Sequence, residues 1–220
     1  VTVTGQYKGA PLTVTATGIG CDNTEIAIIE LVQCVENPTF IRVGSSGALA
    51  DDIVLGDLVI SSGAVRLEST STYFVPEGYP AVAHYEVVAA LVEATKDLEG
   101  RTAHLGLTAT APGFYGAQGR NVPGFPPRDP ELPNRLGTIG VKNMEMEASL
   151  LFTLATLRGL RAVAVCAIYA DRGADTVVDD TARNEAEAAC IAAGLRAFEV
   201  LRAMDAARGE SALWRPSHGI

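Results

Sequence analysis

The 220-residue chain has few aromatic residues, 6%, and only four cysteines, none of them in a Cys-x-x-Cys pair. The ligand spacing of a zinc finger is therefore absent, and Cys34 and Cys166, which lie in apolar runs, are predicted to be small buried hydrophobes. No apolar run approaches the roughly 18 residues of a membrane-spanning helix. The segment Val1–Pro11 has neither the charged nor the apolar region of a secretory signal. We therefore expect a cytoplasmic protein that contacts no membrane.

Positive charge is also scarce, since 26 acidic residues against 17 Lys and Arg give a net charge of −9. Nucleic-acid binding relies on Lys and Arg side chains that displace counterions, so we expect no nucleic-acid partner. A small anion remains compatible with this charge, because one local Arg pocket is enough to hold it. Glycine and proline are near background, which excludes collagen-like and low-complexity chains.

Strand-like and helix-like patterns alternate along the chain. Thr39–Val43 predicts a short strand, and Leu160–Tyr169 is the apolar, β-branched run typical of a strand buried on both faces. Asn143–Arg158 predicts a helix, and Thr181–Arg208 predicts a long terminal helix. The alternation indicates a single α/β domain around a central sheet. We place that domain at residues 1–208, followed by a C-terminal tail at 209–220.

Polar residues follow three of the predicted strands, where ligands gather in α/β sheets. The first such segment, Gly18-Ile19-Gly20, follows the predicted strand Pro11–Thr17 and lacks the third glycine of a dinucleotide-binding fingerprint. It is either a weak Rossmann motif or a plain turn into a helix. Asp22 or Asn23 is expected to cap that helix.

The second segment places Arg42 before Gly44-Ser45-Ser46-Gly47. Glycines let backbone N–H groups approach an oxyanion, hydroxyls add donors, and the guanidinium adds a forked positive charge. The pattern therefore fits an anion cradle. It fits equally well an Arg paired with a surface carboxylate beside an ordinary turn.

The third segment, Asn143-Met144-Glu145-Met146-Glu147-Ala148, places two carboxylates and two methionines at the head of the predicted helix. Acidic residues in a first helical turn are favoured by the helix dipole and can be simple caps. The alternative is a sugar site, in which a thioether packs on the ring and a carboxylate accepts hydrogen bonds from hydroxyls. The spacing alone leaves both open.

The ordered set of motifs resembles the nucleoside phosphorylase superfamily, and within it the uridine phosphorylases. The resemblance extends from about Thr4 to Leu201, and the segments that carry it are Tyr7–Pro11, Thr17–Gly20, Arg42–Ala48 and Asn143–Glu147. It implies a mixed, barrel-like central sheet flanked by helices. It also implies an enzyme, a pentosyltransferase of the uridine phosphorylase type.

The resemblance gives a meaning to the long polar loop Gly113–Asn134, a length of loop that is usually functional or disordered. Phe114, Gln118 and Arg120 resemble the segment that selects the base in uridine phosphorylases. A side-chain amide offers one donor and one acceptor to the uracil imide, a guanidinium stabilises a departing uracil anion, and Phe114 can stack on the ring. Without the family pattern, the same residues are a solvated Arg and a Phe that closes a local cluster.

By resemblance, the enzyme cleaves the N-glycosidic bond of uridine with phosphate and releases uracil and ribose 1-phosphate. Phosphate is then a co-substrate, and no metal or organic cofactor is implied. Residues fall into four implied groups: catalytic Arg42, Glu147, Arg120 and Asp171; phosphate-binding Arg42 and Ser45; ribose-binding Ser45, Glu145, Met146 and Glu147; and base-binding Ser46, Gly47, Phe114, Gln118 and Arg120.

Two departures from the family pattern concern the N-terminus and Asp171. Family members carry an earlier strand, a Gly-Asp-Pro loop with a phosphate-binding Arg, and an early Arg and His that reach a neighbouring subunit. We expect that such a segment precedes Val1, and that the protein is a homo-oligomer of dimers, up to a hexamer, with shared active sites. In purine-cleaving relatives an Asp at the place of Asp171 protonates the purine ring. A simple ion pair between Asp171 and Arg172 is the alternative.

Three rival functions follow from these departures. Asp171 favours a purine nucleoside phosphorylase, whereas Gln118 and Arg120 disfavour it. The missing phosphate loop favours a nucleosidase, which uses water in place of phosphate, whereas Arg42 argues against it. The third rival is a non-catalytic paralogue that binds nucleosides.

Overall fold

The computed structural model describes residues 1–219, which contain nine β-strands and five α-helices. The strands are β1 (Thr2–Tyr7), β2 (Ala10–Thr15), β3 (Thr39–Ala48), β4 (Leu58–Arg66), β5 (Ala81–Val82), β6 (Ala103–Thr110), β7 (Val141–Glu145), β8 (Arg161–Asp171) and β9 (Thr176–Val177). The helices are α1 (Cys21–Cys34), α2 (Tyr85–Ala94), α3 (Leu132–Thr138), α4 (Ala148–Leu157) and α5 (Asp180–Arg208), with 3₁₀ turns at Thr70–Tyr73 and Pro216–His218.

Five strands close into a barrel in the order β4-β6-β7-β3-β8, and β8 pairs back with β4. The pairing is mixed: β6 is parallel to β4 and β7, and β3 is parallel to β8, whereas β3–β7 and β4–β8 are antiparallel. Closure removes the open edges that these five strands would otherwise present. The predicted α/β domain with a mixed, barrel-like sheet flanked by helices is confirmed.

The barrel wall is covered by helices, which explains the apolar runs of the sequence. Strand β8 is buried from Ala162 to Ile168 because both α4 and α5 lie against it. Helix α4 is buried at every position from Ala148 to Ala155. A helix that is apolar on all sides is stable only inside a core. Helix α5 also packs on α2 and β3.

The segment before α4 differs from the sequence prediction. We predicted a helix from Asn143, but Asn143–Glu145 belongs to strand β7 and α4 begins at Ala148. Met, Glu and Ala favour a helix locally, yet β7 has strand partners on both sides, β6 and β3. This tertiary pairing outweighs the local propensity. Glu145 and Glu147 therefore stand at a strand-to-helix junction rather than in a first helical turn.

The glycine-rich segment after Arg42 also differs from its prediction. Gly44–Gly47 continues strand β3 instead of leaving it, because β8 pairs with it along its whole length. A bulge between Ser46 and Gly47 shifts the register. The glycines serve close contacts: a Cβ at Gly47 would lie 2.9 Å from the Arg172 side chain. The segment predicted to form an anion cradle, Gly44–Gly47, is thus part of the barrel wall and not a free loop.

The first helix and the cysteines require two smaller corrections. Helix α1 begins after Gly20, whose φ of 92° lies in the region that favours glycine, and neither Asp22 nor Asn23 caps it. Asp22 instead accepts a hydrogen bond from the Thr70 hydroxyl. Cys34 is exposed, at the end of α1, whereas Cys166 is buried as predicted.

The C-terminal tail contacts the body of the domain through Trp214. Its backbone N–H donates to the Glu86 carboxylate at the start of α2, and its ring packs against the main core. Ile220, the last residue of the predicted tail, lies outside the described residues. Across residues 1–219, no helix combines the length and the apolar character needed to cross a membrane.

Candidate active site

Arg42 forms the centre of a buried charge cluster at the junction of β7 and α4. Its Nε lies 3.3 Å from Glu145 Oε2, and its Nη2 donates a hydrogen bond to Glu147 Oε2. Both carboxylates are almost fully buried. An Arg between two acids holds them together at a distance where they would otherwise repel each other. Arg42 is paired with carboxylates, as one of the two sequence interpretations expected, but these carboxylates are buried and not at the surface. Its binding of an anion stays a prediction.

The Glu147 carboxylate is held at its second oxygen by the turn before α1. The backbone N–H of Gly20 donates to Glu147 Oε1 at 2.6 Å. The adjacent Cys21 thiol donates to the carbonyl of Met146 at 3.2 Å. The Thr17–Gly20 motif therefore holds the Glu147 carboxylate through a backbone N–H group. This answers the question left open for Gly18-Ile19-Gly20, which is a turn into a helix.

Glu145 belongs to a buried hydrogen-bond network that fixes its position. Its Oε2 accepts the backbone N–H groups of Glu147 and Ala148 at 2.8 and 2.9 Å, and its Oε1 accepts the Thr110 hydroxyl. Complete burial raises the pKa of the Glu145 carboxyl above its usual range, while Arg42 opposes that shift. The Glu145 side chain is fully buried and accepts three protein donors, which favours a supporting role beside Arg42, whereas the Glu147 side chain is 9% exposed. The ribose contact expected of Glu145 stays a prediction.

A second polar network joins β3 to its neighbouring strands. The Asn143 amide donates to the Ser46 hydroxyl at 2.8 Å and accepts from the Thr108 hydroxyl at 2.7 Å. Thr108 in turn bonds Ser61 on β4. These side chains cross from β4 to β3 through β6 and β7. A fully satisfied buried network of this kind rigidifies the surface around it.

The far end of β3 contacts the long loop through Arg172. Its Nη2 donates to the backbone carbonyl of Gln118 at 2.8 Å, and its stem lies against Gly47. Its Nη1 is buried and has no hydrogen-bond partner within residues 1–219. Gln118 is itself 4% exposed. The loop that carries the predicted base-selecting residues is therefore joined to the C-terminal end of β3.

Arg120 and Phe114 form a stacked pair in the same loop. The guanidinium carbon lies 4.0 Å from the centroid of the Phe114 ring, and Nε is buried without a partner in the described part of the chain. Burial lowers the pKa of Arg120, and burial together with Arg120 lowers that of Arg172. Two incompletely neutralised guanidiniums create a positive region suited to a carbonyl oxygen or to a developing anion.

The remaining predicted residues lie at the margins of these groups. Ser45 is exposed on β3, and Met146 is half-buried between the two glutamates. The Asp171 carboxylate accepts the backbone N–H groups of Gly173 and Ala174, at 2.8 and 3.0 Å. Asp171 thus holds the turn into β9, while Arg172 turns to the loop. The ion pair between these two residues is not formed.

A family model described as the phosphorylase superfamily matches residues 1–204, nearly the whole chain. The chain belongs to the phosphorylase superfamily. The family predicted from the ordered motifs is confirmed, and with it the prediction of an enzyme.

Relatives in the phosphorylase superfamily support this assignment. The uridine phosphorylase of Thermococcus kodakarensis is 45% identical over 222 residues, covering 98% of this chain and 76% of that protein. The uridine phosphorylase of Escherichia coli is 38% identical over 174 residues, covering 76% and 66%. The guanosine phosphorylase of Halorubrum lacusprofundi is 36% identical over 166 residues, covering 76% and 64%. The aligned parts thus span about two thirds to three quarters of these relatives.

For this member of the phosphorylase superfamily, the sequence motifs led to residues that are joined in space. Arg42, Glu145 and Glu147 touch one another, and Gln118 lies near Gly47 through Arg172. The supporting roles of Gly20, Thr110 and Arg172 were missed. Only Arg172 carries a sequence signal, a charged residue directly after a buried strand. The other two act through a backbone N–H and a hydroxyl, which have no distinctive spacing.

Proposed function

We propose that this chain catalyses the phosphorolysis of uridine to uracil and ribose 1-phosphate. The observation that carries the proposal is the contact of Arg42 with both Glu145 and Glu147, part-way along strand β3, whose C-terminal end adjoins Arg172 and the backbone of Gln118. A phosphate, a pentose and a base need such a sequence of cationic, acidic and amide-bearing sites. The names of two relatives, both uridine phosphorylases, support the same activity.

The sugar and phosphate meet at Arg42. Glu147 accepts hydrogen bonds from the ribose hydroxyls, which a carboxylate does through its two oxygens. Arg42 and the Ser45 hydroxyl bind phosphate, Glu145 holds Arg42, and Met146 packs on the sugar ring. The guanidinium therefore fixes the nucleophile relative to the pentose, and orientation of two reactants is a large part of such a rate enhancement.

The base occupies the loop side of the cradle. The Gln118 amide pairs with the uracil imide, Phe114 stacks on the ring, and Ser46 and Gly47 line the pocket. Arg120 and Arg172 direct guanidinium N–H groups at a uracil carbonyl oxygen. Their unpartnered buried nitrogens support this role, because such donors are costly unless a ligand satisfies them.

In the reaction, the C1′–N1 bond breaks and its electron pair passes to N1 of uracil, while an oxygen of hydrogen phosphate forms the new bond to C1′. The proton of that phosphate then passes through solvent to the uracil anion, which leaves as neutral uracil. The transition state resembles an oxocarbenium ion. The Glu147 carboxylate stabilises the positive sugar, and Arg120 and Arg172 stabilise the negative base. Phosphate needs no proton removed to attack a cationic carbon, so the proposed chemistry uses phosphate as co-substrate and no cofactor.

The decisive experiment incubates the protein with uridine and phosphate and measures free uracil and ribose 1-phosphate. We expect release of uracil that depends on phosphate. Release at the same rate without phosphate would instead identify a nucleosidase, and nucleoside binding without turnover would identify a non-catalytic paralogue. A homo-oligomer with shared sites stays a prediction from the family resemblance, and a cytoplasmic location stays a prediction from the sequence.

A purine nucleoside is the second candidate substrate, favoured by Asp171 at the end of β8 and by the guanosine phosphorylase relative. Its distinguishing experiment compares inosine and guanosine with uridine at saturating phosphate. A preference for uridine is expected, because Asp171 is engaged by the backbone of its own turn. A purine preference would transfer the catalytic role at the base to Asp171.

Replacing Arg120 with alanine is expected to lower kcat/KM for uridine by roughly 10²-fold, because one preorganised donor to the departing base is lost. The loss with inosine should be smaller. The two rates are measured on the same preparation, with Arg128→Ala in the same loop as the control, since Arg128 is exposed. Equal losses on both nucleosides would contradict the assignment of Arg120 to the pyrimidine.

A further inference from the structure

Arg42 is folded back along its own strand. A Cβ at Gly44 would lie 2.5 Å from Arg42 Nη1 and 2.8 Å from the guanidinium carbon. Any side chain at position 44 would therefore displace the guanidinium, and only glycine leaves the space that it occupies. Gly44 pairs with Cys166 of β8 in the parallel ladder, so the folded-back Arg42 reaches the neighbouring strand.

The Cys166 thiol meets the guanidinium at this point. Arg42 Nη1 donates a hydrogen bond to Cys166 Sγ at 2.8 Å, and the Cys166 side chain is fully buried. Burial raises the pKa of the Cys166 thiol to about 11. The sulfur is therefore a neutral acceptor at neutral pH, and it orients the guanidinium without adding to the negative charge of the two glutamates.

The guanidinium is thus held at each of its three nitrogens: Nε by Glu145, Nη2 by Glu147 and Nη1 by Cys166. A guanidinium has five N–H groups in one plane. The contact at Nε is an ion pair, and the hydrogen bonds to Glu147 and Cys166 use one N–H on each terminal nitrogen. One further N–H on each terminal nitrogen is then left to donate to an oxyanion.

We propose that Cys166 is a positioning residue for phosphate binding, because its sulfur fixes the rotation of the Arg42 guanidinium. This rests on the proposed function of the site and adds to it a residue that no sequence motif indicates. The sequence predicted only that Cys166 is a small buried hydrophobe. An apolar side chain would fill the same space but could not accept the hydrogen bond from Arg42 Nη1. The two roles therefore differ only in whether the sulfur atom accepts that hydrogen bond.

The test compares Cys166→Ala and Cys166→Val, which remove the acceptor, with Cys166→Ser, which keeps one. We expect the KM for phosphate to rise about 10-fold in the apolar variants, as expected for loss of a hydrogen bond to a charged group. The KM for uridine should change less than about 2-fold. Cys166→Ser should restore most of the phosphate affinity. Cys190→Ala is the matched control, because Cys190 is equally buried and its thiol donates to backbone carbonyls.

Direct binding of inorganic phosphate, measured by calorimetry without nucleoside, separates this inference from the proposed function. If the unmodified protein binds phosphate but does not cleave uridine, the function fails, and weaker binding by the alanine or valine variant still supports the role of Cys166. Unchanged phosphate affinity in the folded apolar variants would overturn the role. So would a serine variant as weak as they are, or an unmodified protein that does not bind phosphate.

Discussion

Replacing Arg42 with alanine should remove most phosphate-dependent turnover and destabilise the fold together. We expect kcat/KM for phosphate to fall by roughly 10³-fold, because the main charged donor to the anion is lost. The free energy of unfolding should fall by about 3–5 kcal/mol, since Glu145 and Glu147 are left buried and unpaired. Phosphate titrations of the rate and urea denaturation measure the two losses. Arg42→Lys is the informative comparison, because it keeps a charge but not the planar fork.

The stability loss of this alanine variant should depend on pH. Burial already raises the pKa of Glu145, and removing Arg42 raises it further because the nearby guanidinium opposes the shift. A carboxyl whose pKa is higher in the folded state than in the unfolded state favours folding at low pH. Stability is then lost as the pH rises through the folded pKa. The destabilisation should therefore be smaller at pH 5.5 than at pH 8. An equal loss at both values would mean that the glutamates are not the source.

The family and the strongly patterned helices and strands could be predicted from the sequence. The prediction failed for segments whose structure depends on tertiary partners. Strand β8 and helix α5 were placed to within two residues, because an unbroken apolar run and a long Ala- and Glu-rich segment each favour one structure. Asn143–Glu145 was predicted as helix, yet it is a strand because β6 and β3 flank it. Local propensity does not depend on partners that are distant in the sequence. Asn143, for example, is bonded to Thr108 and Ser46, which lie 35 and 97 residues away along the chain.

The residues of the candidate site also differ in whether the sequence alone could identify them. The charged residues were found, since Arg42 precedes a segment of glycines and serines, and Glu145 and Glu147 alternate with methionines. The groups that orient them were not found. Gly20 acts through its backbone N–H, which every residue except proline has, and Cys166 appears in an apolar run as one more small side chain. Only the pairing of Gly44 with Cys166 across two strands brings that sulfur to Arg42.

Glu147→Gln should lower kcat for uridine by roughly 10²–10³-fold while the protein remains folded. The substitution keeps the shape of the side chain and an oxygen for the Gly20 N–H, but it removes the negative charge that stabilises the cationic sugar. The NH₂ group of the new amide can also face Nη2 of Arg42, which is itself a donor and no longer has a charged acceptor. A modest loss in thermal stability should therefore accompany the rate effect. Glu30→Gln, at an exposed position of α1, is the control for the charge change alone.

The role of Glu147 at the ribose can be isolated by changing the substrate together with the enzyme. If its carboxylate binds the 2′- and 3′-hydroxyls, then 2′,3′-dideoxyuridine has already lost that interaction. Glu147→Gln should then cost less with dideoxyuridine than with uridine, because only the stabilisation of the cationic sugar by charge is left to lose. The loss from the enzyme substitution and the loss from the dideoxy substrate are then non-additive, because each removes one partner of the same contact. A penalty as large with dideoxyuridine as with uridine would show that Glu147 acts on the sugar through its charge alone. An unchanged rate with uridine would show that Glu147 takes no part in the reaction. It would also contradict the placement of the pentose beside Arg42.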